Sequence, residues 1–329
     1  MYGASSVDLL ERAEAVARSL GREREGAGFL FSRWTAHVQG LDLERSCFLA
    51  DRLLEQGSAS PDLVVRGYGD AAWGIQQWHL GRIGASFRHL TATASHGPSD
   101  DRSPDQVRDG LRLLTAAMLA EISAYHGKSA EARRLLDTLV AGAGDDAYAT
   151  TVATCMATRV ASVVGDPEWA LRAADRGIAA DPHFSFGFLG TYLRLGRWWA
   201  LAMCGHDPGA AADNAERLIV ANLTNPVRSC VSTWYALLAQ MRLAAGSPGA
   251  AAVALDQADS FRDRYGQRSA DGLLLLVRAQ LAETIAGPDA AVRLAERARA
   301  VARRQEAYLF VQRADRFLAD RAGRELGVQ

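Results

Sequence analysis

The chain has 329 residues, 37 Lys+Arg against 38 Asp+Glu and a formal net charge of −1, so it lacks the basic excess that binding nucleic acid as a main partner would need. Apolar residues make up 49% of it, which excludes wholesale disorder and allows two ordinary domains or one repeat array. Alanine supplies about a fifth of the residues, and Lys128 is the one lysine among the cationic positions.

From the N-terminus onward, the segment Met1 to Leu10 has neither the basic n-region nor the apolar h-region of a secretory signal. The first helical pattern is Ser6–Leu20, ending at Gly21. Cys47, Cys155, Cys204 and Cys230 form no CxxC pair, so a disulfide framework is not expected and a reducing cytoplasm is the expected home. The longest apolar run, around Leu273–Val277, is far short of the ~20 residues a membrane span requires.

A period organises everything between the ends. Glycine closes one helical pattern and opens the next at Gly40, Gly81, Gly127, Gly165, Gly205, Gly246 and Gly287, with gaps of 41, 46, 38, 40, 41 and 41 residues. The 46-residue gap holds the polar stretch Gly97–Pro104, read as an inserted loop. Glycine suits these points because the residue after a helix often takes a left-handed backbone, which penalises a Cβ. On either side, Leu, Ala and Val recur at three- and four-residue spacing, the helix period. Ser60-Pro61, Ser103-Pro104, Asp166-Pro167 and Asn225-Pro226 each set a capping residue before a proline, a helix-start signal. No alternating Val/Ile/Thr run predicts a strand.

The unit is helix A, glycine turn, helix B, and the predicted fold is all-α: a single array over residues 1–329 of about seven helical hairpins with an unpaired helix at each end. Ser6–Leu20 reads as a B helix with no A partner, as though cut from a longer stack, and Glu306–Arg321 as an A-like cap. Small residues follow the glycines at fixed offsets: Ala170 and Gly177 after Gly165, Ala251 and Ala258 after Gly246, Ala291 and Ala298 after Gly287. Closely stacked hairpins require small side chains where backbones approach.

Gly165, Ala170, Gly177 and Pro182 resemble the tetratricopeptide repeat (TPR) at that family's spacing, although the period here is near 40 rather than ~34. The resemblance implies a TPR-like α-solenoid with a concave groove lined by A helices. The segments Gly28–Gly40, Gly144–Thr154, Ile178–Leu195 and Ser260–Leu276 resemble, more specifically, the C-terminal TPR-like region of large actinobacterial transcriptional regulators. These are the Streptomyces antibiotic regulatory protein type and related activators with a STAND-type ATPase module. In that family the region follows winged-helix, activator and ATPase modules. This sequence carries no Walker A and no basic recognition helix. The resemblance therefore implies a sensor or interaction role, with ATPase and DNA-binding modules attached or associated.

Candidate chemical sites are few. Gly127-Lys128-Ser129 lacks the first glycine of a phosphate loop, with Ile122 in its place, and Ser129 reads as an N-cap. The seven histidines show no ligand-spaced pair, and Cys204 with His206 has no second pair to complete a zinc site. Asp100–Asp101 and Asp145–Asp146 read as solvated turns. No nucleophile elbow appears, so no catalysis, cofactor or metal is expected; a small-molecule enzyme is the remotest alternative.

The functional signal lies in the A helices. Trp34 and Trp199 each stand six residues before their glycine, and Tyr68 and Tyr192 thirteen before theirs; two helical turns separate these positions, so all four share a face. Glu121, Arg159 and Gln240 occupy the six-before column as well, and Trp78 and Tyr125 lie at its edge. These nine residues are the predicted groove, suited to a partner segment or a small effector. Packing is the competing reading, since Trp and Tyr bury large apolar areas; Trp73, Trp169, Trp198 and Trp234 fall off the column and are predicted core. A freestanding adaptor or inhibitor that binds another protein's helix is the alternative function.

Overall fold

The computed structural model describes residues 4–95, 106–224 and 228–326. The stretch 97–104, Ser103-Pro104 and Asn225-Pro226 lie outside the described residues, as does Asp100–Asp101. The described residues form sixteen helices and no strand. α1 (Ala4–Ser19) comes first, outside any hairpin. Seven hairpins follow: α2 (Glu23–Gln39) with α3 (Leu43–Ala59), α4 (Leu63–His79) with α5 (Ile83–Ser95), α6 (Gln106–Tyr125) with α7 (Ser129–Gly142), α8 (Ala147–Val164) with α9 (Pro167–Ala180), α10 (Gly187–Met203) with α11 (Pro208–Asn222), α12 (Val231–Ala244) with α13 (Pro248–Tyr265), and α14 (Asp271–Ile285) with α15 (Pro288–Gln305). α16 (Tyr308–Leu326) closes the array. The fold is an all-α TPR-like solenoid. No helix among the described residues is long and apolar enough to cross a membrane.

Local chemistry sets the turns. Six of the seven periodic glycines take φ between 69° and 90°, where a side chain would be strained. Gly40 does not: it stays right-handed at φ −76°, and Leu41 takes the left-handed position at φ 60°. A left-handed leucine costs about 1–2 kcal/mol. Leu41 is 5% exposed, so burial of its side chain offsets that cost.

Two cap positions also shift from expectation. Asp166 caps α9 as predicted, accepting from the amide of Trp169. At the second hairpin, however, Ser60 ends α3, and the N-cap of α4 is Asp62, whose carboxylate accepts from Val64 and Val65. Ser60 instead turns the chain by accepting from the Asp62 amide. Ser129 is the first residue of α7 rather than its cap, which is Lys128. Glu306 sits left-handed at the end of α15, and the final helix begins two residues beyond it.

The small-residue positions are where helices touch. Ala132, Ala170, Ala251, Ala258, Ala291 and Ala298 are fully buried. A Cβ on Gly177 would stand 2.4 Å from Thr154 Oγ1, so α9 meets α8 at contact distance only because that position is bare. Trp169 and Trp234 are core as predicted, whereas Trp73 and Trp198 are half-buried.

The array does not extend as an open arc. The first residues of late A helices return to the ends of early ones. Arg228 and Ser229, before α12, donate backbone N–H groups to the carbonyl of Gln39 at the end of α2 (2.7 and 3.0 Å). Arg268, before α14, donates to the carbonyl of His79 at the end of α4 (2.9 Å). His126, just after α6, donates from Nδ1 to the carbonyl of Glu306, before α16 (3.0 Å). In each case the partner lies five hairpins further along. The last carbonyls of an α-helix have no partner within the helix, and here the next turn of the coil satisfies two of those ends.

Candidate functional site

The six-before column is paired between neighbouring A helices. Trp34 on α2 donates its indole N–H to Gln76 Oε1 on α4 (3.3 Å). Arg159 on α8 forms an ion pair with Glu121 on α6 (2.8 Å). Trp199 on α10 donates to Gln240 Oε1 on α12 (2.9 Å). Two tryptophans and one arginine thus each donate an N–H hydrogen bond to an oxygen on an adjacent A helix.

Arg159 is the centre of this arrangement. Its guanidinium lies 4.8 Å from the ring centre of Tyr192 on α10 and 5.7 Å from that of Trp78 on α4. It also donates to Cys230 Sγ at 3.4 Å, just before α12. Arginine over an aromatic face is favoured by the ring's negative quadrupole, more so away from water. Burial opposes the guanidinium charge most strongly, but the Glu121 carboxylate, together with Cys230, Tyr192 and Cys155, holds the Arg159 pKa well above its usual value. Arg159 therefore stays charged inside the coil.

Around it the polar groups interlock. The Tyr192 hydroxyl donates to the carbonyl of Ser229 (2.8 Å). Gln267, in the loop before α14, accepts from the Cys230 amide with Oε1 (3.0 Å) and donates from Nε2 to His79 Nδ1 (2.9 Å). Burial, with the Arg159 charge adding to it, pulls the His79 pKa down to about 3, so the imidazole is neutral. Tyr125 packs edge-on to both Trp78 on α4 and Phe310 on α16. Residues from α4, α6, α8, α10, α12, the loop before α14, and α16 thus converge on one point.

Of the nine predicted residues, Trp78, Glu121, Tyr125, Arg159 and Tyr192 meet at this point. Trp34 and Tyr68 lie apart from it, both packed against Phe31, and Trp199–Gln240 forms its own pair. Seven of the nine are buried; Arg159 and Tyr68 are partly buried. Glu121, Tyr125, Arg159 and Tyr192 line, with Cys230 and Trp234, a cavity of about 20 Å³, room for about one water. The predicted face is therefore closed over in this form by the starts of α12, α14 and α16.

Gln76, His79, Cys230, Gln267 and Phe310 escaped the sequence reading. Gln76 stands one position off the column, and a column of mixed polar and aromatic residues was its available signal. The other four join through contacts between distant hairpins, which leave no periodic trace.

No protein-family profile and no curated sequence matches the chain. Among solved structures, a Rap protein complexed with competence and sporulation factor is similar with a TM-score of 0.57 at 10% identity, over 88% of this chain and 80% of that one. A tetratricopeptide repeat protein from Parabacteroides merdae aligns over 87% of this chain and 98% of its own, at 13% identity and a TM-score of 0.41. The first of these two likenesses reaches the level of a shared fold, and what it shows is the TPR-like solenoid.

Proposed function

We propose that this chain is a sensor or protein-interaction module of a bacterial transcriptional regulator, of the type its segments resemble. The carrying observation is the convergence of seven parts of the solenoid on the cluster of side chains around Arg159. A partner segment or small effector that enters the concave side displaces the starts of α12, α14 and α16 and takes over their contacts to Arg159, Tyr192, His79 and Tyr125. Those closing contacts are a handful of hydrogen bonds, each worth about 0.5–1.5 kcal/mol net, so a ligand of ordinary affinity can compete with them. Opening of the coil then biases the ATPase and DNA-binding modules attached to or associated with it. The likeness to a Rap protein that is complexed with a factor supports a binding role for this fold. We assign no catalytic step and no direct contact with nucleic acid.

The test is affinity capture from native lysate, followed by binding of the purified partner to wild type and to a Glu121→Leu/Arg159→Met double variant. The pair is removed together so that neither charge is stranded. Loss of binding with helicity retained supports the reading. Binding unchanged in the folded double variant sinks it. A partner carrying ATPase and winged-helix modules identifies a regulator; any other identifies the freestanding adaptor.

A further inference from the structure

A second site stands away from the axis. α16 crosses the junction of α8 and α9, and between them lies a cleft of about 550 Å³. That volume is within the range that accepts small organic ligands. Its walls include Ser129, Asp166, Glu168, Gln312, Arg313 and Arg316.

The charges in this cleft are unbalanced. Arg313 and Arg316 are three apart on α16 and so share a face. Arg313 is half-buried and donates to the carbonyl of Val163 in the last turn of α8. Among the described residues neither arginine has a carboxylate in ion-pair range, in contrast to Arg299 and Arg321, which pair with Asp315 and Glu283. The acids of the cleft are engaged elsewhere. Asp166 accepts from Arg133 and from the Trp169 amide, and Glu168 pairs with Arg172 at 3.8 Å. Burial, and after it the like charge of Arg316, pulls the Arg313 guanidinium down to about 10, the direction expected where no nearby acid compensates.

Two forked cations lining one open cleft fit an oxyanion, because each guanidinium can offer paired N–H groups to two oxygens. A phosphate monoester carries about −1.5 to −2 charges and three terminal oxygens, enough to satisfy both arginines. A single carboxylate would leave one of them unbalanced. We propose that the cleft between α16 and the α8–α9 junction binds a phosphate dianion, free or carried on a small molecule, through Arg313 and Arg316.

Isothermal titration of the full chain at constant ionic strength, with inorganic phosphate, adenosine monophosphate and acetate as probes, tests this. Saturable phosphate binding is expected, weakened roughly tenfold or more by Arg316→Gln, with acetate much weaker. Arg316 is exposed, so this variant folds even if Arg313→Gln, which also loses the contact to α8, does not. Adenosine monophosphate binding tighter than phosphate assigns the site to a phosphorylated small molecule; equal affinity assigns it to free phosphate. Absence of saturable binding by both, binding that survives Arg316→Gln undiminished, or acetate binding as tightly as phosphate overturns the proposal.

Discussion

Gln267 donates its side-chain N–H to His79 Nδ1 at 2.9 Å across 188 residues of sequence. The bond ties the loop before α14 to the last residue of α4, and it requires an unprotonated Nδ1. A neutral, buried histidine is thus part of what holds one turn of the solenoid to the next.

That arrangement makes the protein acid-sensitive in a defined window. The folded pKa of His79, about 3, lies below its ordinary value of 6.5. Unfolding therefore takes up a proton as pH falls below 6.5, and stability drops from there down to about 3. By linkage the loss approaches 1.4 kcal/mol per pH unit, or about 2 kcal/mol from this residue by pH 5. Urea melts of wild type and His79→Asn at pH 7 and pH 5 check this. The variant starts less stable, and its pH dependence across the window should be flatter by about that amount.

The Glu121–Arg159 pair should behave non-additively. Glu121→Leu alone strands a buried guanidinium and should cost about 3–5 kcal/mol. Adding Arg159→Met should recover a large part of that loss, because no unpaired charge remains. Equal destabilisation in the single and double variants would contradict a buried, mutually dependent pair.

Trp199 tests whether the column holds the hairpins together. Trp199→Ala should cost about 3–5 kcal/mol through the cavity it leaves. Gln240→Leu should cost about 1–3 kcal/mol by orphaning the indole N–H. A double-mutant cycle in denaturant, with coupling near zero, would show that the 2.9 Å bond carries no stability.

Glycine substitutions separate contact from conformation. A Cβ on Gly69 would meet Leu53 O at 2.5 Å, and backbone cannot step aside. Gly69→Ala should therefore force α3 and α4 apart and cost about 1–3 kcal/mol. Gly142 ends α7 with open space around it, so Gly142→Ala should be neutral or stabilise by up to about 1 kcal/mol. Thermal unfolding of the two variants side by side decides the matter.

The hairpins were legible in the sequence because their signals are local. A left-handed glycine, a proline after a capping acid, and small residues at fixed offsets each act within about one helical turn of where they are read. Gly81, Gly127, Gly165, Gly205, Gly246 and Gly287, the Asp166 cap and the buried Ala170, Ala251 and Ala258 all follow from that locality. Leu41 in place of Gly40 and Asp62 in place of Ser60 deviate for reasons the local pattern does not contain: a core site that accepts leucine, and a chain that turns before it caps.

The aromatic and polar column was also visible, since position relative to each glycine determines which face a side chain takes. Its burial was not. The pairing of Trp34 with Gln76, Glu121 with Arg159 and Trp199 with Gln240 depends on how adjacent hairpins stack. The closure of α12, α14 and α16 onto α2, α4 and α6 depends on the small rotation between hairpins summed over five of them. No single repeat encodes that sum. The amino-acid sequence by itself therefore determined the helices, their turns and their inward faces. Tertiary structure alone decided that the faces close on one another around Arg159, because closure is set by accumulated geometry between residues nearly two hundred positions apart.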